Sequence, residues 1–305
     1  MVAPEGGASA AIIESAPAKI NLALHVTGQR ADGYHLLDSI VTFAGDGDRL
    51  FFEPATEDRF SVSGRFGQKL CTDPNGVSGN LVLRARDTLR QALRDMGQRA
   101  PAVGIDLEKN LPIASGIGGG SADAAATLRG LMRLWGCQLG EPDISRIALA
   151  LGADVPMCLR SKPLRAGGIG ENIALLPEMP SFALVLANPL EGVSTPEIFR
   201  RLAQKDNPPI SGSAASPEAS AWIAYLSRLR NDLEGPARDL LPEIGEISAM
   251  LARKGAKLVR MSGSGATCFG IFADYAAASA AARALSQERP DWYFLATETA
   301  AGDAP

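Results

Sequence analysis

From residue 11 to 29 apolar and polar side chains alternate with the two-residue period of a long β-strand, interrupted at Pro17. Lys19, Asn21 and His25 recur on one side of it, opposite Leu22, Leu24 and Val26. The Arg-Ala-Asp-Gly of residues 30–33 signals a turn, which delivers Tyr34 and His35 just ahead of the next apolar strand, 36–43. Short strands are expected at 49–53 and 59–63, and the Pro/Asn/Gly/Ser-rich stretch 71–79 reads as a loop. Between 80 and 96 the period changes. Val82, Ala85, Leu89, Leu93 and Met96 fall at helical spacing, with Arg84, Arg86, Arg90 and Arg94 on the other faces, the pattern of an amphipathic helix with a solvated arginine surface. A strand at 103–108, a helix at 121–135 and a helix at 143–151, stopped by Gly152, complete the first half.

The glycines and proline of 162–170 suggest a linker. Beyond it come a buried-type strand at 182–187, a short helix at 195–202 and a polar, Pro/Ser-rich stretch, 206–220, expected to be mobile. Helices at 221–230, 235–240 and 243–254 lead to a strand at 256–261. Ser262-Gly263-Ser264-Gly265 then makes a tight turn into a strand at 266–272, followed by an alanine-rich helix and a last strand at 292–296. Strands and helices mixed in this way predict an α+β protein of two units, 10–165 and 166–300, and 305 residues suffice for two cores.

Composition narrows the functional classes. Apolar residues make up 46% and charged residues 21%, with no uninterrupted apolar run near the ~18 residues of a membrane span. A net charge of −4 argues against a nucleic-acid surface while leaving room for a local phosphate pocket. The N-terminus carries Glu5 and neither a basic start nor an apolar core, so a cytoplasmic location is expected. Cys71, Cys137, Cys158 and Cys268 are scattered like reduced thiols, and two histidines argue against a His-built metal site.

The candidate chemistry centres on Pro112-Ile113-Ala114-Ser115-Gly116-Ile117-Gly118-Gly119-Gly120-Ser121-Ala122, which runs into the Asp-Ala-Ala-Ala start of a strong helix former. Glycines there can turn successive N–H groups into one concavity, and the following helix adds its unpaired first-turn N–H groups and positive dipole end. Phosphate is the natural guest. A Walker loop is excluded because Ser121, with no lysine, follows Gly120. A dinucleotide fingerprint starting at Gly116 fails because its third glycine would fall at Ser121.

Three segments in order, 17–22 (Pro-Ala-Lys-Ile-Asn-Leu), 112–126 and 261–266 (Met-Ser-Gly-Ser-Gly-Ala), resemble the signature of the GHMP kinases, which act on galactose, homoserine, mevalonate and phosphomevalonate. Residues 28–35 (Gly-Gln-Arg-Ala-Asp-Gly-Tyr-His), 152–156 (Gly-Ala-Asp-Val-Pro) and 168–171 (Gly-Ile-Gly-Glu) are similar to the branch that phosphorylates a cytidine-diphosphate sugar alcohol in the non-mevalonate isoprenoid pathway. The likeness runs from about residue 14 to the last strand; Ala114 and Ser115 stand where the family more often has glycine. It implies an N-terminal domain like ribosomal protein S5 domain 2, a ferredoxin-like C-terminal domain, and an active site between them. It further implies ATP with Mg²⁺, a small-molecule acceptor, and no nucleic-acid, membrane or protein partner. The alternatives are another kinase of this superfamily, for homoserine or mevalonate, and a nucleotide-binding protein without catalysis.

On that resemblance Asp154, which by itself also suits a helix-end cap, becomes the general base, and Lys19 the cation that orients it and offsets developing charge. The segment from Pro112 to Ala122 and Asn80 would bind ATP, with Ser121 touching phosphate or magnesium or simply capping the helix. Asn21, Tyr34, His35, Thr195, Phe199, Gly263, Ser264 and Gly265 would bind the acceptor, and the metal ligands stay undefined.

Overall fold

The structure, a computed structural model, describes residues 11–72 and 79–303. The first alternating stretch forms β1 (Ile12–Gln29), paired antiparallel with β2 (His35–Pro54), a single 20-residue strand where two shorter ones were expected. The interruption at Pro17 appears as a register shift between Pro17 and Lys19, because proline cannot donate to the ladder. Along its other edge β2 meets two partners in turn. Residues 49–54 pair with β4 (Val103–Glu108), and residues 37–41 with β5 (Leu164–Gly168). With β3 (Arg59–Ser63) and β6 (Asn172–Leu175) this makes a six-stranded sheet in the order β3-β4-β2-β5-β6, β1 lying against β2.

Two expectations are corrected here. The stretch 162–170 is not a linker: Leu164–Gly168 is a strand of the first sheet, and its glycines sit at the turn into β6. The loop expected at 71–79 begins inside a short helix, α1 (Gly67–Thr72), and residues 73–78 lie outside the described residues. The amphipathic helix forms as expected as α2 (Leu81–Asp95), with Asn80 at its N-cap accepting the Val82 N–H at 2.8 Å. Its Val82, Ala85, Leu89 and Leu93 are buried with Leu50, Phe52 and Leu107 of the sheet. The helix after the glycine stretch, α3 (Gly119–Trp135), packs into the same core through an almost unbroken small-residue face. A side chain at Gly130 would come within 2.3 Å of the Phe52 ring. Next come α4 (Glu141–Leu151) and α5 (Val155–Arg160), a helix not expected from the sequence.

The second sheet is antiparallel, β10-β7-β9-β8, from β7 (Ala183–Asn188), β8 (Leu258–Met261), β9 (Cys268–Ile271) and β10 (Tyr293–Glu298). Taken as strands one to four, these lie in the order four-one-three-two, the ferredoxin-like arrangement. Its helices are α6 (Thr195–Arg201), α7 (Ala219–Leu226), α8 (Glu234–Leu240), α9 (Glu243–Arg253) and α10 (Tyr275–Glu288). A third buried cluster joins the halves, with Ala18, Ile20 and Leu22 of β1 against Leu184, Leu186, Phe269 and Ile271 of the second sheet. Among the described residues, no helix is long and apolar enough to cross a membrane.

The stretch after α6, expected to be mobile, is pinned as a strap across β1 and β2. Asn207 gives its backbone N–H and its side-chain amide to Val26 O, at 3.0 and 3.1 Å. Asp38 accepts the Ile210 N–H at 2.8 Å and two Arg165 nitrogens at 2.7 and 2.5 Å. The Tyr225 hydroxyl donates to Gly212 O at 2.9 Å. Polar composition alone reads as disorder; buried partners supply what the segment lacks. Asp38→Ala is expected to lower unfolding free energy by about 1–3 kcal/mol, since it strands the Ile210 N–H and a half-exposed guanidinium. A urea titration checks this, and an unchanged midpoint would show the strap to be held elsewhere.

Candidate active site

Lys19, on β1, is buried, while the Asp154 side chain, at the start of α5, is 39% exposed. Lys19 Nζ lies 3.2 Å from Asp154 Oδ2 and donates to Asn21 Oδ1 at 2.8 Å. Both line the cleft, the lysine buried and the carboxylate the more accessible of the two. Asn21 is itself held, its amide donating to Ser39 Oγ at 2.7 Å and Ser39 Oγ donating to Ala23 O at 2.6 Å.

The glycine stretch closes directly over this pair. Lys19 N–H donates to Ile117 O at 2.9 Å. Gly118 sits at φ 64° as the N-cap of α3, where a Cβ would be 3.2 Å from the Lys19 Cβ and Cε and 3.9 Å from Asp154 Oδ2. Absence of a side chain there is what lets the unpaired N–H groups of α3 abut the ion pair. Ser121, one of whose readings was a cap, instead lies within the first helical turn. Ala114 adopts φ 50°, so the loop makes a left-handed turn at a non-glycine position.

The third motif comes from the second sheet and locks onto the first two. Ser262 Oγ accepts the Asn21 N–H at 3.0 Å and donates to Gly116 O at 3.1 Å; Thr267 N–H donates to Ser115 O at 3.1 Å. Asn231 gives its amide to Met261 O and Gly263 O, both at 2.8 Å, which fixes the turn. The Thr195 hydroxyl meets Ser264 Oγ at 2.7 Å, joining α6 to that turn.

These elements bound a cleft of roughly 1180 Å³. Of the residues singled out in the sequence, all line it except Ile117 and Ala122, which are buried in the cores behind the loop. At the end away from α3, His35 and Phe199 stack with ring centroids 4.4 Å apart, and Tyr34 is exposed at the rim. One face of Phe199 is thus covered by the imidazole, an arrangement the sequence did not indicate. His35 Nε2 is buried without a partner. Burial and then the nearby Lys205 charge hold its pKa below the ordinary value, so the ring is neutral at pH 7.

Sequence reasoning missed the buried cluster behind the cradle. Lys109 Nζ lies 2.6 Å from both Asp48 Oδ2 and Asp123 Oδ2, while Asp48 Oδ1 accepts the N–H groups of Asn110 and Leu111. A Cβ on Gly119 would be 3.2 Å from that ammonium, so the cluster underpins the first turn of α3. Burial pushes the Asp123 carboxyl up, to about 7, against the opposing pull of Lys109. Asp123 had a signal, as the sole acid among small residues; Asp48 had none. Among the described residues no group of three His, Cys, Asp or Glu side chains forms a metal cage.

The chain matches the family models described as GHMP kinases N terminal domain, over residues 80–162, and GHMP kinases C terminal, over residues 218–291. It is 64% identical over 291 residues to a protein of Rhizobium johnstonii named 4-diphosphocytidyl-2-C-methyl-D-erythritol kinase, covering 95% of this chain and 94% of that one. A Mesorhizobium japonicum protein of the same name is 48% identical, covering 95% and 96%. A crystal structure of a 4-(cytidine 5'-diphospho)-2C-methyl-D-erythritol kinase superimposes with a TM-score of 0.76 at 33% identity, over 95% of this chain and all of that one. The homoserine kinase of Cytophaga hutchinsonii shares the fold, with a TM-score of 0.66 at 16% identity over 99% and 98%.

Proposed function

Because the chain belongs to the GHMP kinase family, in its 4-diphosphocytidyl-2-C-methyl-D-erythritol kinase branch, we propose a division of labour in the cleft for the reaction of that branch. The enzyme transfers the terminal phosphoryl group of ATP to a hydroxyl of 4-diphosphocytidyl-2-C-methyl-D-erythritol, a step in isoprenoid precursor supply. Such a transfer asks the protein mainly to align the acceptor oxygen and to stabilise charge on the moving group.

The observation that carries the assignment is the Lys19–Asp154 pair at 3.2 Å with Gly118 and the N-terminus of α3 against it. Phosphates seated on those N–H groups come next to the carboxylate that takes the acceptor proton. Lys19, held by Asn21, keeps Asp154 aimed and offsets the charge that builds between acceptor and phosphate. Asn80 and the loop from Pro112 to Ala122 form the nucleotide side, on the half built around the first sheet. Magnesium arriving with ATP would supply charge neutralisation on the phosphates, and Ser121, on the first turn of α3, is the oxygen donor suited to it. The other half, built around the second sheet, brings Thr195, Phe199 and the Gly263-Ser264-Gly265 turn to the acceptor. A cytoplasmic location goes with this reading of an enzyme acting on small molecules.

At the far end, His35, Tyr34 and Phe199 are assigned to cytosine. His35 Nε2 is the buried polar atom there without a partner, which suits it to the base edge, while the other two rings offer faces. An ATP-coupled assay with the cytidine diphosphate acceptor, its uridine analogue, homoserine and mevalonate tests the reading. The cytidine compound should be preferred over the uridine one by on the order of 10²-fold. His35→Ala should raise the acceptor KM and leave ATP affinity alone. Equal use of the uridine analogue, or damage confined to ATP binding, would remove these residues from the cytidine site.

A further inference from the structure

One cation of the cleft has no carboxylate beside it among the described residues. Four basic side chains line it: Lys19, Lys109, Arg200 and Lys205. Lys19 is paired with Asp154, Lys109 with Asp48 and Asp123, and Arg200 shares Glu197 with Arg201. Among the described residues Lys205 has no carboxylate partner; its ammonium meets only the neutral side-chain oxygen of Gln29, at 3.4 Å. An ammonium in a cleft wall with a lone, long contact to an amide is free to pair with an anionic ligand.

Its position is set and not incidental. Lys205 lies two residues before Asn207, which is doubly bonded to Val26 O on β1. Gln29, its contact, is the last residue of β1, and the Lys205 charge is felt at the His35 ring. The lysine therefore stands beside the end of the cleft assigned to cytosine, on the strap that Asp38 and Arg165 hold down.

An acceptor spanning from that end to Asp154 carries a diphosphate between its base and its reacting alcohol. The nucleotide's phosphates have the N–H groups of α3; the acceptor's diphosphate needs a cation of its own. We propose that Lys205 supplies it, as a specificity-determining residue that pairs with the acceptor's diphosphate and favours a nucleoside-diphosphate alcohol over the bare polyol. This rests on the cytidine-diphosphate reading given above.

Calorimetric titration of the full-length protein with CDP and, separately, with cytidine tests the assignment. For Lys205→Met the Kd of CDP should rise by about five- to tenfold, the scale of one partly exposed charge pair, while that of cytidine stays within about twofold. Lys205→Arg should keep most of the CDP affinity, and the salt dependence of CDP binding should flatten in the methionine variant. In turnover, the acceptor KM should rise and the ATP KM should not. Unchanged CDP affinity, or equal losses for CDP and cytidine, would overturn the role of Lys205 while leaving the cytidine site standing. If the wild-type protein bound neither compound, the cytidine reading would fall and Lys205 with it.

Discussion

Asp154→Asn should lower kcat by roughly 10²- to 10⁴-fold, the usual contribution of a positioned general base, with ATP affinity nearly unchanged. Asparagine keeps the shape of the side chain but has no basic oxygen for the acceptor proton. The geometry predicts that little else moves. Lys19 retains Asn21 Oδ1 at 2.8 Å, and Asp154 makes no capping hydrogen bond to α5, so the variant should fold normally. Single-turnover kinetics and ATP calorimetry on the same preparation separate the outcomes. Turnover near that of the wild type in a folded variant would mean that the carboxylate orients Lys19 and takes no proton.

Gly116→Ala should be almost as damaging for a different reason. Gly116 has φ 75°, and a Cβ there would stand 2.6 Å from the backbone oxygens of both Ser262 and Gly265. The obstruction is main chain on the opposing half, held by Asn231 and by the Ser262 hydroxyl, so it cannot rotate away. Adding about 1–2 kcal/mol for a left-handed alanine to about 1–3 kcal/mol for overpacking gives a stability loss on the order of 2–5 kcal/mol. Prising the third motif from the loop should also weaken ATP binding by tenfold or more. Gly120→Ala makes the comparison: its Cβ would meet only Leu81 Cδ1 at 3.5 Å, within a helix, and its stability should stay within about 1 kcal/mol of wild type. Denaturant titrations of the pair, with ATP calorimetry, check both claims. If the two variants proved equally stable, the contact across the halves would carry no weight.

Local order was largely written in the chain. Alternation in 11–29 and helical spacing in 80–96 produced β1 and α2, since each period can bury its apolar set in one way only. The turn before Tyr34 and His35, the glycine run ahead of α3, and the separate segments carrying Lys19, Asp154 and the Ser262–Gly265 turn were equally legible, because special backbone and chemistry-bearing side chains leave short, local marks. What failed to show did so for a physical reason. Leu164–Gly168 looks like a linker until β2 offers it an edge, and 206–220 looks mobile until Asp38, Val26 and Tyr225 give its polar groups partners. Apart from Tyr225, these partners lie more than a hundred positions away, which no local pattern encodes.

The sequence by itself therefore determined the periods, the turns and the glycine run, and its three motifs pointed by resemblance to a kinase family. Only the tertiary structure decided which charges are spent. It set Asp48, from the middle of a long strand, and Asp123 on one buried lysine, closed Ser262 onto both Asn21 and Gly116, laid His35 on Phe199, and left Lys205 without a carboxylate among the described residues. Electrostatic roles follow distance and burial in three dimensions, and both are fixed when the two sheets pack and not before.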